Sequence, residues 1–207
     1  MDSLNSEFDY IILDLDNTLY DEYNFIELCI SDFLIKINYN DIKINNWKKD
    51  FRIFYKKNGN NKIFDNFIQN RFDVSKIYLN IFLSSLRNEN LNSLDILMFP
   101  GVKQFLNLFQ NKISIVTDGN IKQQIKKIKI LKLETFISKD KIFCSDIYNG
   151  KSTEEFKLFI TEELKINKTA RGIVIGDNPK SDGVLAKNLN FQYYNINENN
   201  SFFRKYM

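Results

Sequence analysis

Two carboxylates in one short loop are the first residues whose type and spacing could do chemistry. Asp14 and Asp16 lie in the segment Asp14-Leu15-Asp16-Asn17-Thr18, directly after the apolar run Tyr10–Leu13. An Asp carboxylate can act as the nucleophile in phosphoryl transfer, and a second carboxylate can donate and accept protons. Two Asp residues in a turn are also ordinary turn and capping residues, so this pair taken alone does not decide the function.

Further polar segments come directly after apolar runs or directly before helix-like stretches. They are Thr117-Asp118-Gly119-Asn120, Gly150-Lys151-Ser152-Thr153 and Gly176-Asp177, with Asp182 five residues later. Taken singly, Thr117 fits a helix cap, Lys151 fits solvated surface and the Asp pair fits a turn. A hydroxyl, an ammonium group and turn N–H groups are, however, the donors that a phosphoryl group needs.

Taken together, the carboxylates predict a divalent cation. Three carboxylates gathered at strand ends repel one another and raise each other's pKa unless a cation is present. The chain has no His, and its two Cys, Cys29 and Cys144, form no CxxC motif. This composition excludes imidazole catalysis, His-ligated zinc and thiolate metal sites, and favours buried, structural Cys. Hard oxygen ligands alone suit Mg²⁺.

The elements that position these residues alternate along the chain. Apolar runs predict buried strands, and the stretches between the later strands have helical spacing. The predicted strands are Tyr10–Leu13, Ile113–Val116, Gly172–Ile175, Phe191–Ile196 and, more weakly, Ile142–Cys144; the predicted helices are Val102–Phe109, Ile121–Leu131, Thr153–Leu164 and Asp182–Asn188. This order predicts an α/β fold, a Rossmann-like parallel sheet with helices on both faces, which binds ligands at the carboxyl ends of its strands.

Residues 20–97 interrupt the alternation. The stretch has helical spacing and no convincing strand, and Lys56–Asn61 with Gly59 reads as a loop between helices. We therefore predict a catalytic core of residues 1–19 and 98–207 and an inserted α-helical domain of residues 20–97.

Composition limits the partners and the location. The 207 residues are 43% hydrophobic and 14% aromatic, which fits one domain with an insertion rather than a disordered chain. A net charge of +3 is too small and too evenly spread to indicate nucleic acid or a membrane surface. The apolar run at Tyr10–Leu13 is too short for a signal segment or a membrane span. We expect a cytoplasmic protein, a monomer or homodimer, whose partner is a small phosphorylated metabolite.

The order of these motifs resembles the four signature motifs of the haloacid dehalogenase-like (HAD) hydrolase superfamily. The matching segments are Asp14–Tyr20, Ile115–Gly119, Lys151 and Ile175–Asp182, while Phe99-Pro100-Gly101-Val102 resembles the return from a cap to the core. The resemblance covers the whole chain, with residues 20–97 in the place of a small helical cap. Ser152 departs from the family, in which Pro often follows the Lys, and Lys157 is the alternative to Lys151.

The resemblance implies a role for each matching residue. Asp14 would attack phosphorus, and Asp16 would protonate the leaving oxygen and then activate water. Thr117, Asp118 and Lys151 would bind the phosphate. Mg²⁺ would be held by Asp14, the Asp16 main-chain carbonyl and Asp177, while Asp182 would orient Lys151 or the metal's waters.

The resemblance favours a phosphatase of the superfamily and leaves alternatives. Dehalogenases generally lack the second Asp, pumps need membrane helices, and a phosphonatase needs a cap Lys that forms a Schiff base. A phosphomutase shares all four motifs and stays open, as does a catalytically silent member that acts as a binding or regulatory protein. A receiver domain also gathers Asp, Thr and Lys, but it has no helical insertion after its first strand.

Overall fold

A computed structural model describes residues 7–59, 62–72, 74–87, 96–198 and 202–207. The chain divides into two compact units, Met1–Asp21 with Asp95–Met207 and Glu22–Leu94. The first unit contains the sheet, and the second is helical. No helix in the described ranges combines the length and apolarity needed to cross a membrane.

The sheet of the first unit has five parallel strands in the order β3-β2-β1-β4-β5. The strands are β1 (Tyr10–Leu13), β2 (Ile113–Thr117), β3 (Ile142–Cys144), β4 (Gly172–Gly176) and β5 (Gln192–Asn195). In the central strand, Ile11 pairs with Ile113 of β2 and Ile173 of β4. The predicted Rossmann-like fold with helices on both faces is confirmed. Strand β5 is shorter than predicted, because Phe191 and Ile196 lie outside the ladder.

The helices alternate with the later strands as expected. The α-helices longer than one turn in the described ranges are α1 (Glu22–Lys36), α2 (Asp41–Asn58), α3 (Leu79–Arg87), α4 (Val102–Phe109), α5 (Ile121–Ile130), α6 (Glu154–Glu163) and α7 (Asp182–Leu189). The helices α4 to α7 match their predicted positions to within one residue at each end. Helices α5, α6 and α7 thus follow β2, β3 and β4 along the chain.

One face of the sheet shows how the core fixes the strand ends. Ile12, Val116 and Val174 project from the three central strands into a cluster with Phe156 of α6 and Leu185 of α7. All five side chains are almost fully buried. Burying an aliphatic or aromatic side chain of this size stabilises the fold by about 1.5–3 kcal/mol. This packing fixes the ends of β1, β2 and β4 next to one another.

The second unit has an aromatic core of its own. Trp47 and Phe51 of α2 stack at 4.9 Å between ring centroids, and Tyr23 of α1 stacks on Phe51 at 5.5 Å. Tyr55 packs edge-on against Tyr23, and Phe54 packs against Phe51. Tyr23, Phe54 and Tyr55 thus take part in the aromatic packing of this unit.

The loop predicted at Lys56–Asn61 starts later than expected. Helix α2 continues to Asn58 and ends at Gly59, whose N–H donates to the Tyr55 carbonyl at 2.8 Å. Gly59 has a φ of 61°, a left-handed conformation that glycine adopts without steric cost. Lys56 and Lys57, just before Gly59, interact favourably with the negative end of the helix dipole. This interaction explains why the helix extends to Asn58. Residues 60 and 61 of the predicted loop lie outside the described ranges.

Candidate active site

The first site loop follows β1 and turns sharply. The Asp14 N–H still donates to the Ile175 carbonyl at 2.9 Å, so this residue is held by the edge of the ladder. Asn17 has a φ of 56°, a left-handed conformation that Asn tolerates better than most residues. The turn returns Thr18 to the site, where its hydroxyl donates to Asp14 Oδ2 at 3.1 Å. One oxygen of the predicted nucleophile is thereby fixed by its own loop.

Lys151 holds the other oxygen of Asp14. Its ammonium lies 2.5 Å from Asp14 Oδ1 and 2.5 Å from Asp182 Oδ1, and its side chain is 3% exposed. A buried ammonium needs a close opposite charge, and these two carboxylates supply it. Lys157, the alternative, is partly exposed and pairs with Glu154 at 2.7 Å on the surface of α6. Lys151 is therefore the lysine that the structure places in the site.

The third loop brings in Asp177 and Asp182. Carboxylate oxygens of Asp14, Asp177 and Asp182 lie within 4.8 Å of one another. Asp182 begins α7, and its Oδ2 accepts the Asn178 N–H at 2.9 Å. A methyl group on Gly176 would lie 2.2 Å from Asp182 Oδ2, so glycine is needed for this close approach.

The electrostatics of this cluster are unbalanced. Burial and, to a smaller extent, the Asp182 carboxylate raise the pKa of Asp14 to about 8 against the opposing effect of the Lys151 ammonium. Burial and Asp182 also raise the pKa of Asp177. Burial alone would lower the pKa of Lys151, but the carboxylates of Asp14 and Asp182 outweigh it and raise that pKa well above its usual value. The site therefore holds more carboxylate than one ammonium can neutralise.

This donor set fits the predicted cation. Three converging carboxylates with no nitrogen or sulfur ligand are the chemistry that Mg²⁺ prefers, and a divalent ion would offset the excess negative charge. The cluster contains Asp14 and Asp177 from the predicted ligand set. It also contains Asp182, whose Oδ1 is paired with Lys151 and whose Oδ2 accepts a main-chain N–H.

The family follows from a comparison of the sequence with known families. The model of the haloacid dehalogenase-like hydrolases matches residues 8–190. The chain belongs to this family. No curated protein matches the chain by sequence.

Solved structures share the fold of this HAD-like hydrolase at low identity. YfnB from Bacillus subtilis, described as a HAD hydrolase and bound to magnesium, matches with a TM-score of 0.64 at 15% identity, over 93% of this chain and 90% of that one. A HAD family hydrolase from Deinococcus radiodurans with bound phosphate and sodium has a TM-score of 0.57 at 13% identity, with 91% and 80% covered. A 2-haloacid dehalogenase from Pseudomonas syringae has a TM-score of 0.53 at 16% identity, with 90% and 85% covered. At these identities the likeness shows the fold alone.

Thr117 and Asp118 of this HAD-like hydrolase lie at the end of β2. The Thr117 hydroxyl is almost fully buried and donates to Gln124 Oε1 at 3.3 Å, whereas the residue that caps α5 is Asn120. The Asp118 carboxylate accepts hydrogen bonds from the Ser145 hydroxyl, from the Lys151 N–H at 2.8 Å and from the Ser181 hydroxyl at 2.5 Å. Any phosphate contact of Asp118 would therefore come from its backbone.

Asp16 has partners that the sequence reasoning missed. Its Oδ2 lies 2.6 Å from the Lys127 ammonium and 3.4 Å from Gln124 Nε2, and its Oδ1 accepts a hydrogen bond from the Tyr20 hydroxyl. The only available signal was position: α5 starts directly after the second site loop, so its first turns lie beside the site. Its Lys-rich sequence instead reads as a solvated surface.

Proposed function

We propose that this HAD-like hydrolase is a Mg²⁺-dependent phosphatase that hydrolyses a small phosphomonoester through an aspartyl-phosphate. The observation that carries the proposal is the convergence of the buried Asp14 and Asp182 with the partly exposed Asp177, and the Lys151 ammonium that pairs with Asp14 and Asp182. A binding protein gains little from burying this many charges, because each carboxylate removed from water costs free energy. The proposed substrate is a sugar phosphate or a nucleoside monophosphate. The protein is proposed to be cytoplasmic and to be a monomer or a homodimer.

Asp14 is the proposed nucleophile. Its two oxygens are held by the Thr18 hydroxyl and the Lys151 ammonium, so the carboxylate is oriented before substrate arrives. Attack on phosphorus forms the bond to an Asp14 oxygen and breaks the ester P–O bond, whose electron pair stays with the leaving oxygen. Fixing an attacking group in this way lowers the entropic part of the barrier.

Asp16 is the proposed proton donor and acceptor. It gives its proton to the leaving oxygen, and in the second step it takes a proton from the water that hydrolyses the aspartyl-phosphate. Lys151 is a proposed donor to the phosphoryl oxygens, and the Thr117 hydroxyl would be a second by exchanging its hydrogen bond to Gln124 Oε1 for one to a phosphoryl oxygen. When bound, Mg²⁺ held by Asp14, the Asp16 carbonyl and Asp177 would neutralise charge that develops on the phosphoryl group.

The carboxylate at position 16 also favours ester hydrolysis over dehalogenation. A halide leaves without a proton, whereas an alkoxide needs one, so a hydrogen-bonded second Asp is useful for esters only. The dehalogenase among the structural neighbours shares the fold, and fold alone does not fix the leaving group.

Turnover of p-nitrophenyl phosphate with and without Mg²⁺ tests the proposal. We expect Mg²⁺-dependent release of phosphate that Asp14→Asn lowers by roughly 10³-fold or more, because the nucleophile is lost. The exposed carboxylate Asp140 supplies the matched control, and Asp140→Asn should keep full activity. Undiminished activity of Asp14→Asn would refute the nucleophile assignment. Chloride release from a 2-chloro acid, without phosphate release from any ester, would reassign the enzyme as a dehalogenase.

Substrate class is tested with a panel of phosphorylated sugars and nucleoside monophosphates. The proposal expects one group to be preferred in kcat/KM. A phosphoryl group that moves to another position of the same sugar, with no free phosphate released, would favour the phosphomutase alternative. Binding of a phosphorylated metabolite without any turnover would favour the silent regulatory member.

A further inference from the structure

We propose that Lys127 and Gln124 are positioning residues that hold the Asp16 carboxylate for proton transfer to the leaving group. The inference rests on the proposed phosphatase function and adds two residues from a helix outside the four family motifs. Neither residue is placed in contact with substrate; both act through Asp16.

The burial of Lys127 is the first argument. Its side chain is 1% exposed, and its ammonium lies 2.6 Å from Asp16 Oδ2. Moving an ammonium group out of water costs several kcal/mol unless a close opposite charge compensates it. Asp16 supplies that charge, and its own side chain is 19% exposed, so the carboxylate stays accessible while its partner does not. In this arrangement the buried Lys127 ammonium holds the Asp16 carboxylate in place.

The orientation of α5 is the second argument. Gln124 and Lys127 are three residues apart on the helix and so share one face, and both are almost fully buried. On the same helix Ile128 is buried, but Ile121 and Ile125 are 44% and 39% exposed. An amphipathic helix normally buries its isoleucines. Helix α5 therefore turns polar side chains toward the site at the expense of apolar burial.

The hydrogen-bond chemistry is the third argument. A Lys ammonium has three donors and no acceptor, so Asp16 Oδ2 cannot direct a proton toward Lys127. Asp16 Oδ1 is the oxygen that Lys127 does not hold, and it accepts a hydrogen bond from the Tyr20 hydroxyl. Gln124 also accepts from the Thr117 hydroxyl at 3.3 Å and so links Asp16 to the proposed phosphate site.

A comparison of two leaving groups tests the inference. p-Nitrophenolate leaves with little help from an acid, whereas the alkoxide of glycerol 2-phosphate needs a proton. We expect Lys127→Met to lower kcat/KM for glycerol 2-phosphate by about 10- to 100-fold, part of the 10²–10⁴-fold that a positioned acid contributes. The same variant should change kcat/KM for p-nitrophenyl phosphate by less than about 3-fold, and Asp16→Asn should show the same bias more strongly. Lys127→Arg, which keeps the charge, should recover part of the loss.

The exposed Lys122 on the same helix supplies the matched control, and Lys122→Met should behave like the wild type with both esters. Equal losses with both esters, or no loss with either, would overturn the positioning role, because general damage to the fold does not depend on the leaving group. If Lys127→Met does not fold, Gln124→Leu and Lys127→Arg are measured in the same comparison. Wild-type protein that hydrolyses neither ester, or full activity in Asp14→Asn, would instead refute the proposed function.

Discussion

Replacing Lys151 with Met removes the charge at the centre of the site and keeps most of the side-chain volume. In the folded protein the ammonium lies 2.5 Å from both Asp14 Oδ1 and Asp182 Oδ1. Both carboxylates are buried, so the substitution leaves two acidic groups facing each other without their cation. The change therefore acts on stability and on catalysis at once.

The expected loss of stability follows from the burial. Breaking a buried ion pair by removing one partner costs about 3–5 kcal/mol. The pKa of Asp14 is already raised to about 8, so this carboxyl group can take up a proton near neutral pH, which places the loss at the lower end. For a chain of this size, about 3 kcal/mol corresponds to a fall in Tm of about 6–12 °C. Loss of one donor to the phosphoryl group should lower kcat by about 10²–10³-fold.

Thermal denaturation with and without Mg²⁺ measures the effect. A divalent cation at the same carboxylates replaces part of the missing charge, so Mg²⁺ should raise the Tm of Lys151→Met more than that of the wild type. Lys157→Met is the matched control: its pair with Glu154 is exposed, and an exposed pair contributes at most about 1 kcal/mol. A Lys151→Met protein as stable and active as Lys157→Met would refute the central charge balance argued above.

Two further predictions concern the same cluster. Gly176→Ala places a methyl group 2.2 Å from Asp182 Oδ2, so we expect a loss of about 1–3 kcal/mol in the free energy of unfolding together with lower activity. Gly183→Ala is the control, because its methyl group would meet the Tyr193 ring at an ordinary 3.4 Å. This variant should keep the stability and the activity of the wild type. Denaturant unfolding of the two variants checks this, and equal stabilities would contradict it. In the metal-free protein the raised pKa of Asp14, about 8, means that Mg²⁺ must displace a proton below that pH, so calorimetric Mg²⁺ affinity should rise by up to about tenfold per pH unit toward pH 8 and level off above it. An affinity that falls with rising pH would contradict the sign of that shift.

Much of the fold could be predicted because its strands are short apolar runs that end in polar turns. Strands buried on both faces of a parallel sheet need continuous apolar sequence, and Ile113–Val116 and Gly172–Ile175 show it. The sheet order then brings the loops after β1, β2 and β4 to one edge without further information. That is why Asp14 and Asp177 could be named before their distances were known.

The partners of Asp16 could not be predicted in the same way. In α5 the isoleucines repeat at helical spacing, and that pattern favours a buried apolar face with lysines in solvent. The structure buries Gln124, Lys126 and Lys127 beside Ile128, and it leaves Ile121 and Ile125 exposed. Hydrophobic periodicity reflects only the gain from burying apolar surface. It does not take into account a carboxylate in a neighbouring loop, such as that of Asp16. An ion pair at 2.6 Å in a low-dielectric site changes the orientation that the pattern indicates.

The Asp118 carboxylate helps to fix the positions of the site loops, which the sheet alone does not fix. The sheet brings three loops near one another, but a parallel ladder fixes only backbone positions within the strands. The Asp118 carboxylate joins its own loop, after β2, to the two others: Ser145 and the Lys151 N–H lie between β3 and α6, and Ser181 lies between β4 and α7. Burial alone would raise the pKa of Asp118, but the Lys151 ammonium and the two serine hydroxyls outweigh it and hold that pKa below its usual value, so the group stays ionised. A permanently charged acceptor with three donors favours one arrangement of the loops, and that arrangement places the Lys151 ammonium against Asp14.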